Sequence, residues 1–218
     1  MREEVSTGRS LLMDGIRLSA VTAGYDGGPD VVSEIDALLE PGLTLVSGAN
    51  GSGKSTLLEI MASNLMPRSG EVTLDGVSTR SADARHRRSY APHAVGLIPA
   101  LTLAEHLMLT GPLGSEAEVD AAVNGWGLDD WVNEPIEALS TGTRRKAWLL
   151  MCLIQPQRCV LLDEPFNGLD AAAVAHLSGL IDGWLADRRT VVLASHNVPR
   201  PVRTFDPKVL RLVEGRLA

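Results

Sequence analysis

The stretch Gly48-Ala49-Asn50-Gly51-Ser52-Gly53-Lys54-Ser55-Thr56 sets glycines, a lysine and hydroxyls at spacings that suit an anion. It satisfies G-x-x-x-x-G-K-[ST] at every fixed position. Gly48, Gly51 and Gly53 can take backbone angles closed to other residues and leave room for phosphate oxygens to approach. Successive amide N–H groups then form a concave nest at the positive end of the helix that follows. Lys54 is placed to reach β- and γ-phosphates, and the Ser55 hydroxyl to ligate Mg²⁺. The chemistry is binding of a nucleoside triphosphate, with Gly48, Asn50, Gly51, Ser52, Gly53, Lys54, Ser55 and Thr56 as the binding set. A second cluster, Cys159-Val160-Leu161-Leu162-Asp163-Glu164-Pro165, is an apolar run ending in two carboxylates. Adjacent acids at a buried strand end are costly without cationic or polar partners, which Mg²⁺ and a phosphoryl-transfer site supply. Asp163 can hold Mg²⁺ through water, and Glu164 can orient or deprotonate the attacking water.

These residues need elements to hold them. Leu43-Thr44-Leu45-Val46 is a β-prone run, and Leu57, Leu58, Met61, Ala62 and Leu65 recur at helical spacing. The glycine loop therefore joins a strand to a helix. Upstream, Ile16 to Thr22 and Val31 to Leu39 read as strands around a Gly24–Pro29 loop, and Glu71 to Leu74 as a short strand closed by Asp75-Gly76. From His93 to Ser140 strand runs vanish. Leu103 to Leu109, Glu116 to Trp126 and Asp129 to Trp131 predict short helices, giving an α-helical insert over about residues 93–143. A helix (Arg144 to Ile154), an apolar strand (Cys159 to Leu162), a helix (Ala171 to Leu185) and a second apolar strand (Thr190 to Ala194) follow. Such alternation predicts an α/β fold whose parallel sheet is covered on both faces. Working residues then fall past the carboxyl ends of the strands, where Ser47, Asp163 and Ser195 lie.

Composition narrows the class. At 218 residues, 44% hydrophobic and 22% charged, the chain has ample core for one domain carrying an insert. The longest apolar run, Ala147 to Ile154, is far shorter than the roughly 20 residues of a bilayer span. The polar, acid-bearing start has no cleavable-signal pattern, and residues 1–13 read as a flexible tail ahead of a domain over 14–218. A net charge of −7 argues against a broad nucleic-acid surface. Cys152 and Cys159 lie in apolar segments and read as buried thiols. The tryptophans, Trp126, Trp131, Trp148 and Trp184, fall in helical patterns and read as packing. Arg144, Arg145 and Lys146 open a helix, where cations oppose the helix dipole. An anion nearby and a solvated face both fit them.

The ordered set of motifs resembles the nucleotide-binding subunit of ATP-binding cassette (ABC) transporters, from about residue 16 to 215. Leu139-Ser140-Thr141-Gly142-Thr143 stands at the place of the L-S-G-G-Q signature, ahead of Asp163-Glu164-Pro165. Asn167-Gly168-Leu169-Asp170 resembles the D-loop, Ser195-His196 the switch histidine, and Ser89-Tyr90-Ala91-Pro92-His93 the Q-loop region. The resemblance implies a P-loop NTPase core of mostly parallel sheet with an antiparallel β subdomain and the helical insert. It implies ATP and Mg²⁺ as cofactors. Tyr25 would stack on adenine, Ser140 and Gly142 would donate to the γ-phosphate, and Ser55 and Asp163 would hold the metal. Lys54, Glu164 and His196 would be the catalytic set.

Some positions depart from the family pattern. His93 replaces a glutamine that touches Mg²⁺, and Mg²⁺ prefers oxygen ligands, so His93 is expected at the rim of the site. Thr141 replaces a signature glycine, and Thr143 the signature glutamine. The resemblance implies an ATPase working head to tail, as a homodimer or heterodimer, with a separate transmembrane permease subunit. It would lie in the cytoplasm, peripheral on the inner face of the cell membrane. A chain that ends soon after its last core strand, with a compact Phe166–Asp170 stretch, is expected to serve an exporter. A non-transport cassette and a catalytically impaired partner of a heterodimer are the alternatives.

Overall fold

A computed structural model describes residues 15–110 and 114–218; the expected tail of residues 1–13 lies outside them. Two sheets organise the chain. The first is antiparallel, in the order β2 (Val32–Leu39), β1 (Ile16–Ala23), β4 (Ser69–Leu74), β5 (Val77–Ser78). The second runs β10 (Arg216–Leu217), β9 (Lys208–Val213), β3 (Gly42–Ser47), β8 (Thr190–Ala194), β7 (Cys159–Asp163), β6 (Arg88–Ala91). Within it β9, β3, β8, β7 and β6 are parallel, and only β10 turns back.

The period of two along β7 explains the layering. Cys159 and Leu161 enter a core shared with the antiparallel sheet, while Val160 and Leu162 enter the core beneath the other helices. Neighbouring β8 divides in the same way, with Val192 and Ala194 on one side and Val191 and Leu193 on the other. A strand buried on both faces reads as an unbroken apolar run, as these two do. Helix α1 (Lys54–Met61) is wedged between the sheets, with Leu57, Leu58, Ile60 and Met61 each at most 1% exposed.

The opposite face of the parallel sheet carries the remaining long helices. The short α2 (Ala82–Arg85) leads into β6. The insert holds α3 (Leu103–Leu109), α4 (Glu116–Gly125) and single turns at Asp129–Trp131 and Ile136–Ala138. Capping boxes start both helices, Thr102 with Glu105 and Ser115 with Glu118. Then come α5 (Thr141–Leu153), α6 (Ala171–Ala186) and the single-turn α7 (Arg200–Arg203). Helix α5 starts at Thr141 rather than Arg144, because the Ser140 side chain caps it by accepting from the Thr143 amide. The cations therefore follow the first turn instead of opening the helix. Trp126 and Trp184 are buried as expected, but Trp131 is exposed, since its single 3₁₀ turn lies on the rim of the insert. Cys152 is only partly covered while Cys159 is fully buried, and burial pushes both thiols up to about 12.

The antiparallel sheet is clasped to the core by the β4–β5 turn. Asp75 takes φ +50°, accepts from the Gly15 amide at 2.8 Å, and pairs with Arg158 Nε at 3.1 Å. Asp75→Ala leaves the buried Gly15 N–H without its acceptor, and should cost about 1–3 kcal/mol. Denaturant unfolding checks this: an unchanged midpoint would show that the clasp carries no stability.

Candidate functional site

Strand β3 delivers the chain to the phosphate loop, and buried α1 fixes where the loop must end. Gly48, Gly51 and Gly53 take φ of +156°, +79° and +100°. A Cβ on Gly48 would lie 2.4 Å from the Leu212 carbonyl oxygen and 2.5 Å from Ser52 Oγ, so only glycine fits. Gly53 is the N-cap of α1, with no side chain accepting from the helix amides and no acid in the first turn. The amides at this end are thus left to an anion. Lys54 is 7% exposed and its Nζ donates to the Gly48 and Ala49 carbonyls, both at 3.0 Å, directly behind the loop. Ser52 Oγ is buried without a hydrogen-bond partner among the described residues. Asn50 and Ser55 face outward, whereas Thr56 is buried.

Tyr25 stands beside this helix. Its ring is largely exposed, and its hydroxyl donates to Glu59 Oε2 at 2.8 Å and lies 3.3 Å from Thr56 Oγ1. Burial of the hydroxyl holds its pKa above the usual phenol value.

Asp163 closes β7, 2% exposed, with Oδ1 unpartnered among the described residues. Burial raises its pKa, opposed by a hydrogen bond from Ser55 and by nearby His93. Glu164 follows in a left-handed conformation, φ +45°, which an L-residue holds at a cost of roughly 1–3 kcal/mol. That twist turns the carboxylate toward the end of β8. Oε1 accepts from the His196 amide at 3.1 Å and from His196 Nδ1 at 2.8 Å, and Oε2 accepts from Ser195 Oγ at 3.0 Å. Ser195 was legible from sequence only as a strand-end residue. Its grip on Glu164 was not.

The signature residues are positioned by α5. Ser140 Oγ accepts from the Thr143 amide at 3.1 Å and lies 2.7 Å from Thr143 Oγ1. Ser140 and Thr141 are exposed. A Cβ on Gly142 would sit 3.2 Å from the Gly168 carbonyl oxygen, so the signature packs on the Asn167–Asp170 loop of its own chain. Lys146 ties the two together through Asp170 at 3.3 Å. His93 is exposed in the loop after β6, on the Asp163 side.

The donor set fits a nucleotide and a hard cation. The loop offers backbone amides at a helix start without a side-chain cap and a buried ammonium, and the orphaned Ser52 and Asp163 oxygens are costly unless something meets them. No group of three or more His, Cys, Asp or Glu side chains could hold a metal among the described residues. A cation bound by Ser55 and Asp163 would therefore draw most of its shell from phosphate and water, the habit of Mg²⁺.

Comparison with known proteins identifies the family and the fold. The family model described as "ABC transporter" matches residues 34–167. The "cytochrome c biogenesis ATP-binding export protein CcmA" of Bordetella bronchiseptica is 38% identical over 74% of this chain and 75% of its own length. The chain belongs to the ABC transporter family. The protein of the same description from Cupriavidus necator is 34% identical over 86% of each chain. Among solved structures, an ATP-binding subunit of an ABC transporter superposes with a TM-score of 0.81 at 23% identity, covering 93% of this chain and 88% of its own. A dimeric bacterial ABC transporter cassette gives 0.78 at 24% identity, over 93% and 96%. This ABC protein is the ATP-hydrolysing subunit of a transporter, and its fold is the α/β P-loop fold of the cassettes.

Two outcomes follow for the site. Lys54→Ala removes the cation behind the nest, so ATP affinity measured by calorimetry should fall roughly tenfold or more, with hydrolysis lost. Unchanged affinity would refute the assignment of this loop. Asp163→Asn should raise the unfolding temperature of the metal-free protein. Burial raises the folded-state pKa of Asp163, so the penalty on its charge is absent below the ordinary carboxylate range and complete above the raised value. The gain should accordingly vanish in acid; a variant less stable than wild type at neutral pH would contradict it.

Proposed function

We propose that this ABC ATPase drives export through a separate transmembrane permease, binding MgATP between two cassettes that meet head to tail. The observation that carries the reading is the held Glu164 carboxylate, fixed by Ser195 and His196 beside the orphaned Asp163 oxygen and the strand end that leads to the phosphate loop. Glu164 takes a proton from water as the oxygen attacks the γ-phosphorus, and the bond to ADP breaks. His196 Nδ1–H holds Oε1 in place for that transfer. Lys54 leaves the Gly48 and Ala49 carbonyls for the β- and γ-phosphates, a short swing of a flexible stem. Ser55 and Asp163 would hold Mg²⁺, which would neutralise phosphate charge there. Tyr25, its hydroxyl anchored on Glu59, offers an exposed ring face to adenine.

The partner's Ser140–Gly142 turn completes the pocket. It is exposed and stands at the start of a 13-residue helix with no acid in its first turn, a setting that welcomes an anion. The second cassette is a copy of this chain or an equivalent subunit. Among the described residues no helix is long and apolar enough to cross a membrane. In this reading the permease holds the ATPase at the inner face. The helical insert transmits the motion. The relatives' description as export proteins of cytochrome c biogenesis favours export and supports a cargo used in that process. The net charge of −7 gives no reason to invoke nucleic acid.

Glu164→Gln keeps the shape of the side chain but cannot accept the proton. Hydrolysis should stop while MgATP still binds, and gel filtration should find a dimer only when MgATP is present. Retained turnover would overturn the role of Glu164, and a monomer with and without nucleotide would overturn pairing between copies of this chain.

A further inference from the structure

Arg145 is 5% exposed, yet among the described residues its guanidinium meets no carboxylate oxygen, and its Nε is buried without a partner. Nη1 donates to the carbonyls of Pro92 at 3.1 Å and His93 at 2.9 Å; Nη2 donates to those of Asp163 at 3.2 Å and Glu164 at 3.0 Å. A cation buried this deeply is expensive, and desolvation lowers its pKa despite the attraction of Asp163 and Glu164. The planar fork spans a gap that no single-point donor covers. One turn on, Trp148 Nε1 donates to the same Pro92 carbonyl at 3.2 Å, and its ring lies where a Cβ on Gly96 would come within 2.9 Å. The face of α5 bearing these side chains thus grips two segments together: the strand end with the carboxylates and the loop with His93. The N-terminus of the same helix is capped by Ser140.

We infer that Arg145 is a positioning residue for hydrolysis, locking the Glu164 backbone and the His93 loop to the signature helix. The clamp has a specific task at Glu164. A φ of +45° persists only where surroundings over-determine it, and the bond from Arg145 to the Glu164 carbonyl, with that from the Glu164 amide to Ala194 at 2.8 Å, does so. Release of the carbonyl lets the peptide relax and turns the carboxylate away from Ser195 and His196. The same link runs in the other direction. Contact of an anion with Ser140 loads α5, and Arg145 delivers the displacement to the catalytic strand end of its own chain and to His93. In a head-to-tail pair, the state of one nucleotide site is then felt at the other.

The inference rests on Glu164 as the base, and the experiment separates the two. Steady-state hydrolysis is measured for wild type, Arg145→Lys, Arg145→Met and Glu164→Gln, with unfolding temperatures alongside. Arg145→Lys keeps the charge but not the fork, so kcat should fall roughly 10- to 100-fold while KM for MgATP stays within about twofold, since the phosphate loop is untouched. Arg145→Met should do the same or worse; if it does not fold, Arg145→Lys decides alone. Turnover of Arg145→Lys within about twofold of wild type, with Glu164→Gln inactive, overturns the clamp and leaves the base standing. A rise in KM at unchanged kcat assigns Arg145 to nucleotide binding and also overturns it. An active Glu164→Gln overturns both.

Discussion

A loop that turns its amides to an anion has few internal bonds, here Ser52 N–H to the Ala49 carbonyl and Lys54 Nζ to the Gly48 and Ala49 carbonyls, so much of its shape must be imposed from outside. Here the constraint is the burial of α1 between two sheets. Four apolar side chains on that helix, Leu57, Leu58, Ile60 and Met61, are each at most 1% exposed, and no rotation of the helix keeps them there. The direction of its first turn is then set by the core and not by the loop. Gly53, Gly48 and the Lys54 stem adapt to it. In the sheet beside the helix, β7 and β8 end level with β3 and the loop that follows, because Val46 pairs with Ala194 and Ala194 with Asp163. The nest and the carboxylates face each other as a consequence of hydrophobic packing several residues away.

The structure meets the two buried cations of the site in the same way. Among the described residues, Lys54 and Arg145 both rest on backbone carbonyls and not on acids. A carboxylate partner would quench the charge and bind it strongly; carbonyl dipoles satisfy both Nη groups of Arg145, though not its buried Nε, and leave the net charge in place.

How far the residues foretold this differs from element to element. The phosphate loop, β7 and β8 were legible because glycine spacing and two-sided burial leave strong patterns. Strands β6, β9 and β10 were not. Arg88-Ser89-Tyr90-Ala91 is half polar and buries only alternate residues, Lys208–Val213 keeps most of its side chains exposed, and β10 is two residues long. The helices of the insert were readable as segments between glycine and proline breaks, but the start of α5 was not, since Ser140 looks the same as a loop serine until its acceptor role is seen. Arg145 defeated sequence reading for a different reason. Its partners are carbonyl groups, which every residue carries, so no neighbouring side chain advertises them.

The hydroxyl pair at the head of α5 has a further property. Ser140 Oγ and Thr143 Oγ1 are 2.7 Å apart, and one proton lies between them. Either oxygen can supply it. If Ser140 does, its hydrogen points back into the helix and only its lone pairs face solvent; if Thr143 does, the serine hydrogen is free to point outward. An arriving anion selects the second arrangement by rotation about two C–O bonds, with no movement of any heavy atom. A glutamine at position 143 would offer an amide whose donor and acceptor ends are fixed. With threonine, the polarity of this surface is decided by whatever approaches it.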